Sequence, residues 1–319
     1  MKILALFLLA FVTSAAAQSP VTYPTKPVRI VVPFPAGGAL DLVTRIVGQK
    51  LEESWGQSIV VENRPGGGTL IGTQAVARAP ADGYTLLMMA TSFVINPSLR
   101  SNLPYDSDKD FTPVTQIAST PNVLVVNPSL PATTLSQLLD LARAKPGQLA
   151  FASIGAGTPQ HLAGEQLKQL AKVDLIHVPY TGNAQLTNAL LGGQVAMTIV
   201  NLASVQQYIE SGQMRLIAVA TATRVKGFES APTMAEAGMP GFDSTSWFGM
   251  VAPAGTPSTI IAKLQAEIAR SLQMPEVRAK LKAQSLTPIG DTPEQFGAFM
   301  RAERESYARV IKAGNIRLD

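Results

Sequence analysis

At two places in this chain an apolar, strand-like run breaks on a short glycine turn and resumes as a helical pattern. The first is "VVPFPAGGALDLVTR" (31–45). There "VRIVV" (28–32) feeds Pro35-Ala36-Gly37-Gly38, and Leu40, Val43, Ile46, Val47 and Leu51 then fall on one helix face. "SIVVEN" and "TLLMMA" predict further strands, with "GTLIGTQAVARA" as the crossover helix between them. "NVLVVNP" (122–128) predicts a strand crossing into a second region. That region repeats the scheme with helix 134–144, strand "LAFAS", helix 159–171, strand "LIHVPY", helix 184–191 and strand "VAMTIV". "LIAVAT" (216–221) then carries the chain back. Such alternation predicts an α/β fold with largely parallel sheets. Nearer the end, Thr256-Pro257 and Thr292-Pro293 each predict a helix start, and Thr292-x-x-Gln295 completes a capping box.

Residues 1–17, "MKILALFLLAFVTSAAA", predict a cleavable export signal: Lys2, an apolar core and Ala15-x-Ala17 before Gln18. The core is too short to span a bilayer of about 30 Å, and no Cys follows it for lipid attachment. The rest of the 319 residues reaches the length at which one hydrophobic core stops growing, so two lobes are expected. A formal charge of +4 comes with interspersed signs and no Lys/Arg block, which argues against a nucleic-acid groove. With no Cys there is no disulfide, thiolate metal site or cysteine nucleophile.

The first glycine turn leaves the opening amides of a helix unpaired and aligned with the positive end of its dipole, a setting for a carboxylate or phosphate. Asp41, in the first helical turn, either complements that dipole or accepts from a ligand. The second turn lies in "ASIGAGTPQHLAGE" (152–165), with Ser153 before Gly155-x-Gly157, Thr158 as N-cap and Pro159 after it. It is neither a phosphate-binding Gly-Lys-Ser/Thr loop nor G-x-G-x-x-G. His161 sits in the following helical turn, as a capping residue or a ligand contact. Thr91 and Ser92 follow a strand, where open α/β sheets bind ligands, though a plain N-cap reads equally well. Tyr180, Thr181 and Gly182 in "VPYTG" follow another strand, and Tyr180 suits a core edge as well as a pocket wall. "NRPGGGTLIG" reads as a turn that lets a helix pack close to a strand. There is no G-x-S-x-G, no H-E-x-x-H, only two histidines, and no carboxylates at metal-ligand spacing, so the parts of an enzyme are missing.

In this order, "VPFPAGGALDLVTR", "ENRPGGGTLIG", "PADGYTLL", "INPSLRSNLPYD", "DFTPVTQIA", "GAGTPQHLAGE", "HVPYTG", "LLGGQVAM", "TMAEAGMPGF" and "GMVAPAGTP" resemble the Bug family. These are extracytoplasmic solute receptors of tripartite tricarboxylate transporters, and the resemblance runs from about Tyr23 to the last helix. It implies a two-lobed type II periplasmic binding protein fold, with two mixed, mostly parallel sheets flanked by helices and joined by hinge strands. The implied division is 18–121 and 222–319 in one lobe and 122–221 in the other. The implied ligand walls are Phe34, Ala36, Gly37 and Gly38 with Asp41; Thr91 and Ser92; Ser153, Gly155, Gly157, Thr158 and His161; Tyr180, Thr181 and Gly182; and Asn201. The two glycine turns are expected to clamp a carboxyl group from opposite lobes. The implied partners are a small carboxylate and either the permease subunits of such a transporter or a signalling protein. The implied protein is a periplasmic monomer without catalytic residue, cofactor or metal. An exported carboxylate-processing enzyme is the rival reading.

Two departures stand out. Val200 precedes Asn201 where many relatives carry an acidic residue, and Thr181 follows Tyr180 where Lys is frequent. Both make the region less charged, so a ligand less polar than an amino acid, or differently charged, is expected.

Overall fold

The computed structural model describes residues 22–318. The expected export signal at 1–17 lies outside the described residues. Strand β1 (Val28–Val32) pairs in parallel with β2 (Ile59–Asn63) on one side and β3 (Thr85–Ala90) on the other. Between them run α1 (Ala39–Trp55) and α2 (Leu70–Ala77), and α3 (Ser92–Leu99) follows β3. Helix α1 buries Leu40, Val43, Val47 and Leu51, the face its spacing predicts. The 63–72 segment is the close-packed connection expected: a β-carbon on Gly72 would lie 2.8 Å from the Arg64 carbonyl and 2.9 Å from Pro33 Cβ.

Strand β4 (Phe111–Val126) begins well before the predicted start at 122. Its first part carries Pro113, Gln116, Ser119 and Pro121, which break the apolar run a strand normally shows. Residues 111–121 pair antiparallel with β9 (Thr245–Pro253). Residues 122–126 pair antiparallel with β7 (Met197–Asn201) and 123–126 with β8 (Arg215–Val219). One strand therefore belongs to both sheets. In the second half, α4 (Leu135–Ala144), β5 (Ala150–Ser153), α5 (Pro159–Ala171), β6 (Ile176–Pro179), α6 (Asn183–Leu191) and α7 (Leu202–Glu210) complete the repeat. Strand β5 pairs in parallel with β6 and β7. The main order is β2-β1-β3-β9-β4-β7-β5-β6. The pairings are parallel toward both ends and antiparallel around β4 and β9, an arrangement that the alternation of elements does not disclose.

Helices α8 (Ser258–Gln273) and α9 (Pro275–Lys282), strand β10 (Thr287–Pro288) and helix α10 (Pro293–Ala313) return to the first half. The predicted capping box forms between Thr292 and Gln295. Thr256 is not a cap: its hydroxyl donates to the Pro253 carbonyl at 2.7 Å, and Pro257 occupies the cap position of α8.

Each half has its own core. Ile30, Leu86, Met88, Leu264 and Ile268 pack in the first, and Leu124, Leu138, Phe151 and Leu167 in the second. Met234, Met239 and Phe242 join the second core. The stretch 222–242, expected with the first lobe, thus packs on the other side. The chain crosses between halves along β4 and again near 243–246, where Asn122 N donates to Ser244 O (3.2 Å) and Ser244 N to Ala220 O (2.6 Å). The result is a two-lobed α/β fold with paired hinge segments.

Candidate functional site

Between the halves lies a cavity of about 220 Å³. The first half supplies the turn from Phe34 to Gly38, the opening residues Ala39–Asp41 of α1, and Thr91. The second supplies Ile154, the start of α5 at Pro159 and Gln160, the start of α6 from Thr181 to Gln185, and Asn201. Ser246 and Phe248 of β9 close the floor. No Lys, Arg or His lines it, and Asp41 is its one ionisable wall residue among the described residues.

Two helix starts from opposite halves meet this space without side-chain caps. The N-cap of α1 is Gly38 and that of α6 is Gly182, and neither helix has a capping hydrogen bond from a side chain. The first amides of each helix have no partner within it, and the dipole adds partial positive charge. The turn at 155–158, expected to face the first turn, behaves differently. Thr158 Oγ1 accepts from His161 N and caps α5, and the Gly157 amide donates to His161 Nδ1 at 3.3 Å. Gly157 (φ +82°) packs instead against the first half, where a β-carbon would meet Asn96 Oδ1 at 3.1 Å. The α6 start therefore shares this cavity with the first turn, while the 155–158 turn meets Phe34 and Pro35 in an adjoining space.

Asp41 is consumed internally. Its carboxylate accepts from the Gly37 amide (3.0 Å), from Arg45 Nε (3.0 Å) and from Asn63 Nδ2 (3.1 Å), with Arg45 Nη2 also at 3.0 Å. Burial alone would raise its pKa, but the bonds from Arg45, Gly37 and Asn63 bring it below the ordinary value. Asp41 thus holds the turn. Asn63 Nδ2 also reaches the Phe34 carbonyl at 3.1 Å, bracing the same loop.

Of the residues expected from sequence, Phe34, Ala36, Gly38, Asp41, Thr91, Thr181, Gly182 and Asn201 are brought together on the cavity wall. The Thr91 hydroxyl is already engaged, accepting from Trp247 N at 3.1 Å. The other expected residues lie off that wall. Gly37 turns its amide into Asp41, and Ser92 is buried away from the wall. Ser153 is fully buried, its Oγ 2.7 Å from His177 Nε2 and 3.1 Å from the Gly155 carbonyl. His161 stacks on His177 with ring centroids 4.1 Å apart. Burial, with the positive charge of Lys168 nearby, pushes His161 down to about 4, and burial beside His161 takes His177 to about 3. Both rings are neutral near pH 7. Gly155, Thr158 and Tyr180 line an adjoining chamber of about 520 Å³, which shares Phe34, Pro35, Ile154 and Thr181 with the cavity. Val200 packs in the apolar core of the second half and not on the wall, whereas Thr181 does line it.

Sequence reasoning missed Gln160, Asn183 and Ser246. Gln160 Nε2 donates to Asn201 Oδ1 at 2.5 Å, and Ser246 Oγ lies 3.0 Å from both Asn201 Oδ1 and Asn122 Oδ1. The polar residues that follow Pro159 and Gly182 were the available signal for the first two. Ser246 had none, because it reaches the floor only through the return of β9.

Two halves that meet over a cavity walled by main-chain donors and apolar side chains, joined by crossing segments, define a two-lobed solute-binding protein. The chain matches the tripartite tricarboxylate transporter family receptor over residues 43–316, and it belongs to that family. It is 38% identical to protein BugT of Bordetella pertussis over 315 residues, 97% of this chain and 96% of that protein. An R. palustris protein solved with adipate superposes with a TM-score of 0.90 at 36% identity, over 92% of this chain and 99% of that one. MatC from Rhodopseudomonas palustris, solved with bound malate, gives 0.86 at 30% identity, over 91% and 100%.

Proposed function

We propose that this protein captures a small carboxylate between its halves in the periplasm and presents it to the membrane subunits of a tripartite tricarboxylate transporter. The observation that carries this reading is the pair of uncapped glycine N-caps, Gly38 and Gly182, on opposite sides of one small cavity with no cationic wall residue. An acid group there takes its hydrogen bonds from main-chain amides between largely apolar walls. Micromolar binding corresponds to about −8 kcal/mol, within reach of several such charge-assisted bonds. The relatives solved with adipate and malate bind acids of this kind.

In this reading the lobes are residues 122 to about 243 and the remainder, hinged at the Asn122 and Ser244 crossing. The ligand-facing residues are Phe34, Ala36, Gly38, Thr181, Gly182 and Asn201 from the sequence expectation, joined by Gln160 and Asn183. Binding leaves the ligand chemically unchanged. The test is calorimetry against a panel of mono- and dicarboxylates, followed by mass spectrometry of the recovered ligand. Binding of at least one acid at micromolar concentration, recovered intact, supports the reading. Recovery of an altered acid, or binding only of uncharged solutes, defeats it.

A further inference from the structure

We infer that the ligand carries, besides its acid group, a neutral hydrogen-bond donor such as a hydroxyl, and that Gln160 receives it; this rests on the carboxylate reading above. Gln160 is 1% exposed and lines the cavity at the start of α5. Its Nε2 is committed to Asn201 Oδ1, which the Ser246 hydroxyl also touches. That leaves Gln160 Oε1, which is buried and has no partner. A buried carbonyl oxygen without a donor is rare, because it loses its bond to water and gains none in return. Other buried polar atoms also lack a partner, Thr120 Oγ1 and Asn96 Oδ1 among them, but Gln160 is the residue of that group which lines the cavity, so a bound molecule there can complete its set.

The surroundings select the kind of donor. An ammonium group gains most from a free carboxylate to offset its lost hydration, and the Asp41 carboxylate is already filled by Arg45, Asn63 and the Gly37 amide. The positive ends of α1 and α6 at the same cavity also disfavour a cation. A second carboxylate would bring its lone pairs against the Gln160 oxygen, with no Lys or Arg on the wall to offset them. A hydroxyl meets neither obstacle. Phe34, Ile154 and Phe248 offer apolar walls to a short hydrocarbon body between acid and hydroxyl. Gln160 is thus a specificity-determining residue for small hydroxy acids.

The test is calorimetric affinity for matched sets on the full-length mature protein: lactate, pyruvate and propionate; 3-hydroxybutyrate, acetoacetate and butyrate; 4-hydroxybenzoate and benzoate. In at least one set the hydroxy acid should bind about tenfold or more tightly than both the keto acid and the acid lacking oxygen at that position. Gln160→Leu should remove that preference, so that within the set the ratio of hydroxy-acid to unsubstituted-acid affinity falls to within about twofold of one, whatever the variant does to the absolute affinities. Gln160→Met serves the same purpose if the leucine variant does not fold. Equal binding within every set, a preference for the keto acid, or a hydroxyl preference that survives in the folded variant overturns the inference while leaving the carboxylate reading intact. Failure of every acid in these sets overturns the inference, and failure of the dicarboxylates as well overturns the carboxylate reading.

Discussion

Gly182 and Pro35 touch across the cleft: a β-carbon on Gly182 would lie 3.2 Å from Pro35 Cγ. Gly38 and Asn183 meet beside them, with the corresponding point 2.9 Å from Asn183 Nδ2. The two halves are therefore seated against one another at glycine positions, and the cavity is walled by both at once. The Gly182 backbone is extended (φ 175°), so a side chain there meets a steric obstacle and not a conformational one. Gly182→Val should leave each core folded, hold the halves apart and weaken ligand binding by about tenfold or more, since contacts are lost on both sides of the ligand. Small-angle scattering should show a larger radius of gyration with ligand present than for the unsubstituted protein. An unchanged affinity would mean that closure at this contact contributes nothing to binding.

Asp41 supports the turn through the Gly37 amide, Arg45 and Asn63. Asp41→Ala removes the acceptor of the Gly37 amide and leaves Arg45 without its partner, a loss of about 1–3 kcal/mol. The folded carboxyl titrates below its ordinary value, so its contribution is present at neutral pH and is lost as pH falls through the folded pKa. A thermal melt should show the variant clearly less stable at pH 7, with the difference shrinking in strong acid. A constant difference across that range would contradict the charge-based role.

The stacked pair His161 and His177 gives a second pH dependence with its own window. In the unfolded chain both rings bind protons near pH 6.5, while in the folded one they resist until about 4 and about 3. Stability is therefore complete above about 6.5 and declines as pH falls toward 4, by at most about 1.4 kcal/mol per pH unit for each ring, less for the partly exposed His177. The double variant His161→Gln, His177→Gln should flatten the melting temperature between pH 6.5 and 4. Identical slopes in the two proteins would refute the assignment.

Much of this was legible in the chain because the signals are local. The run "VRIVV", the turn that ends at Gly38 and the periodic face of α1 are one continuous stretch, and each local preference agrees with the fold. The capping box at Thr292 was legible for the same reason. What escaped was non-local. Ser246 and Phe248 reach the cavity only because β9 inserts between β3 and β4, and no residue near them in sequence marks that insertion. Gly155 and Gly157 have the composition of an anion-binding turn, yet Ser153 Oγ accepts from the Gly155 amide and His161 Nδ1 from the Gly157 amide, and that competition depends on side-chain positions.

Packing of α5 on β5 is tight enough to measure. A β-carbon on Gly164 would come within 2.0 Å of the Phe151 ring, which is itself 1% exposed. Gly164→Ala should cost at least about 1–3 kcal/mol by overpacking, although alanine is otherwise the better helix former. A melting temperature equal to or above that of the unsubstituted protein would show that the ring has room to move.

Binding through amides has a salt signature. With no Lys, Arg or His on the cavity wall, raising ionic strength from about 0.05 to 0.5 M should change the carboxylate affinity by less than about threefold. A tenfold loss would point to a cationic side chain that swings in from beyond the cavity wall.

The sixteen residues of β4 are shared by two sheets, so the hinge has no slack of its own. Any change in the angle between the lobes must twist or flex this common ribbon, and both outer flanks then shift in concert. A membrane protein touching those flanks would sense occupancy as an alteration of outline, without ever contacting the solute.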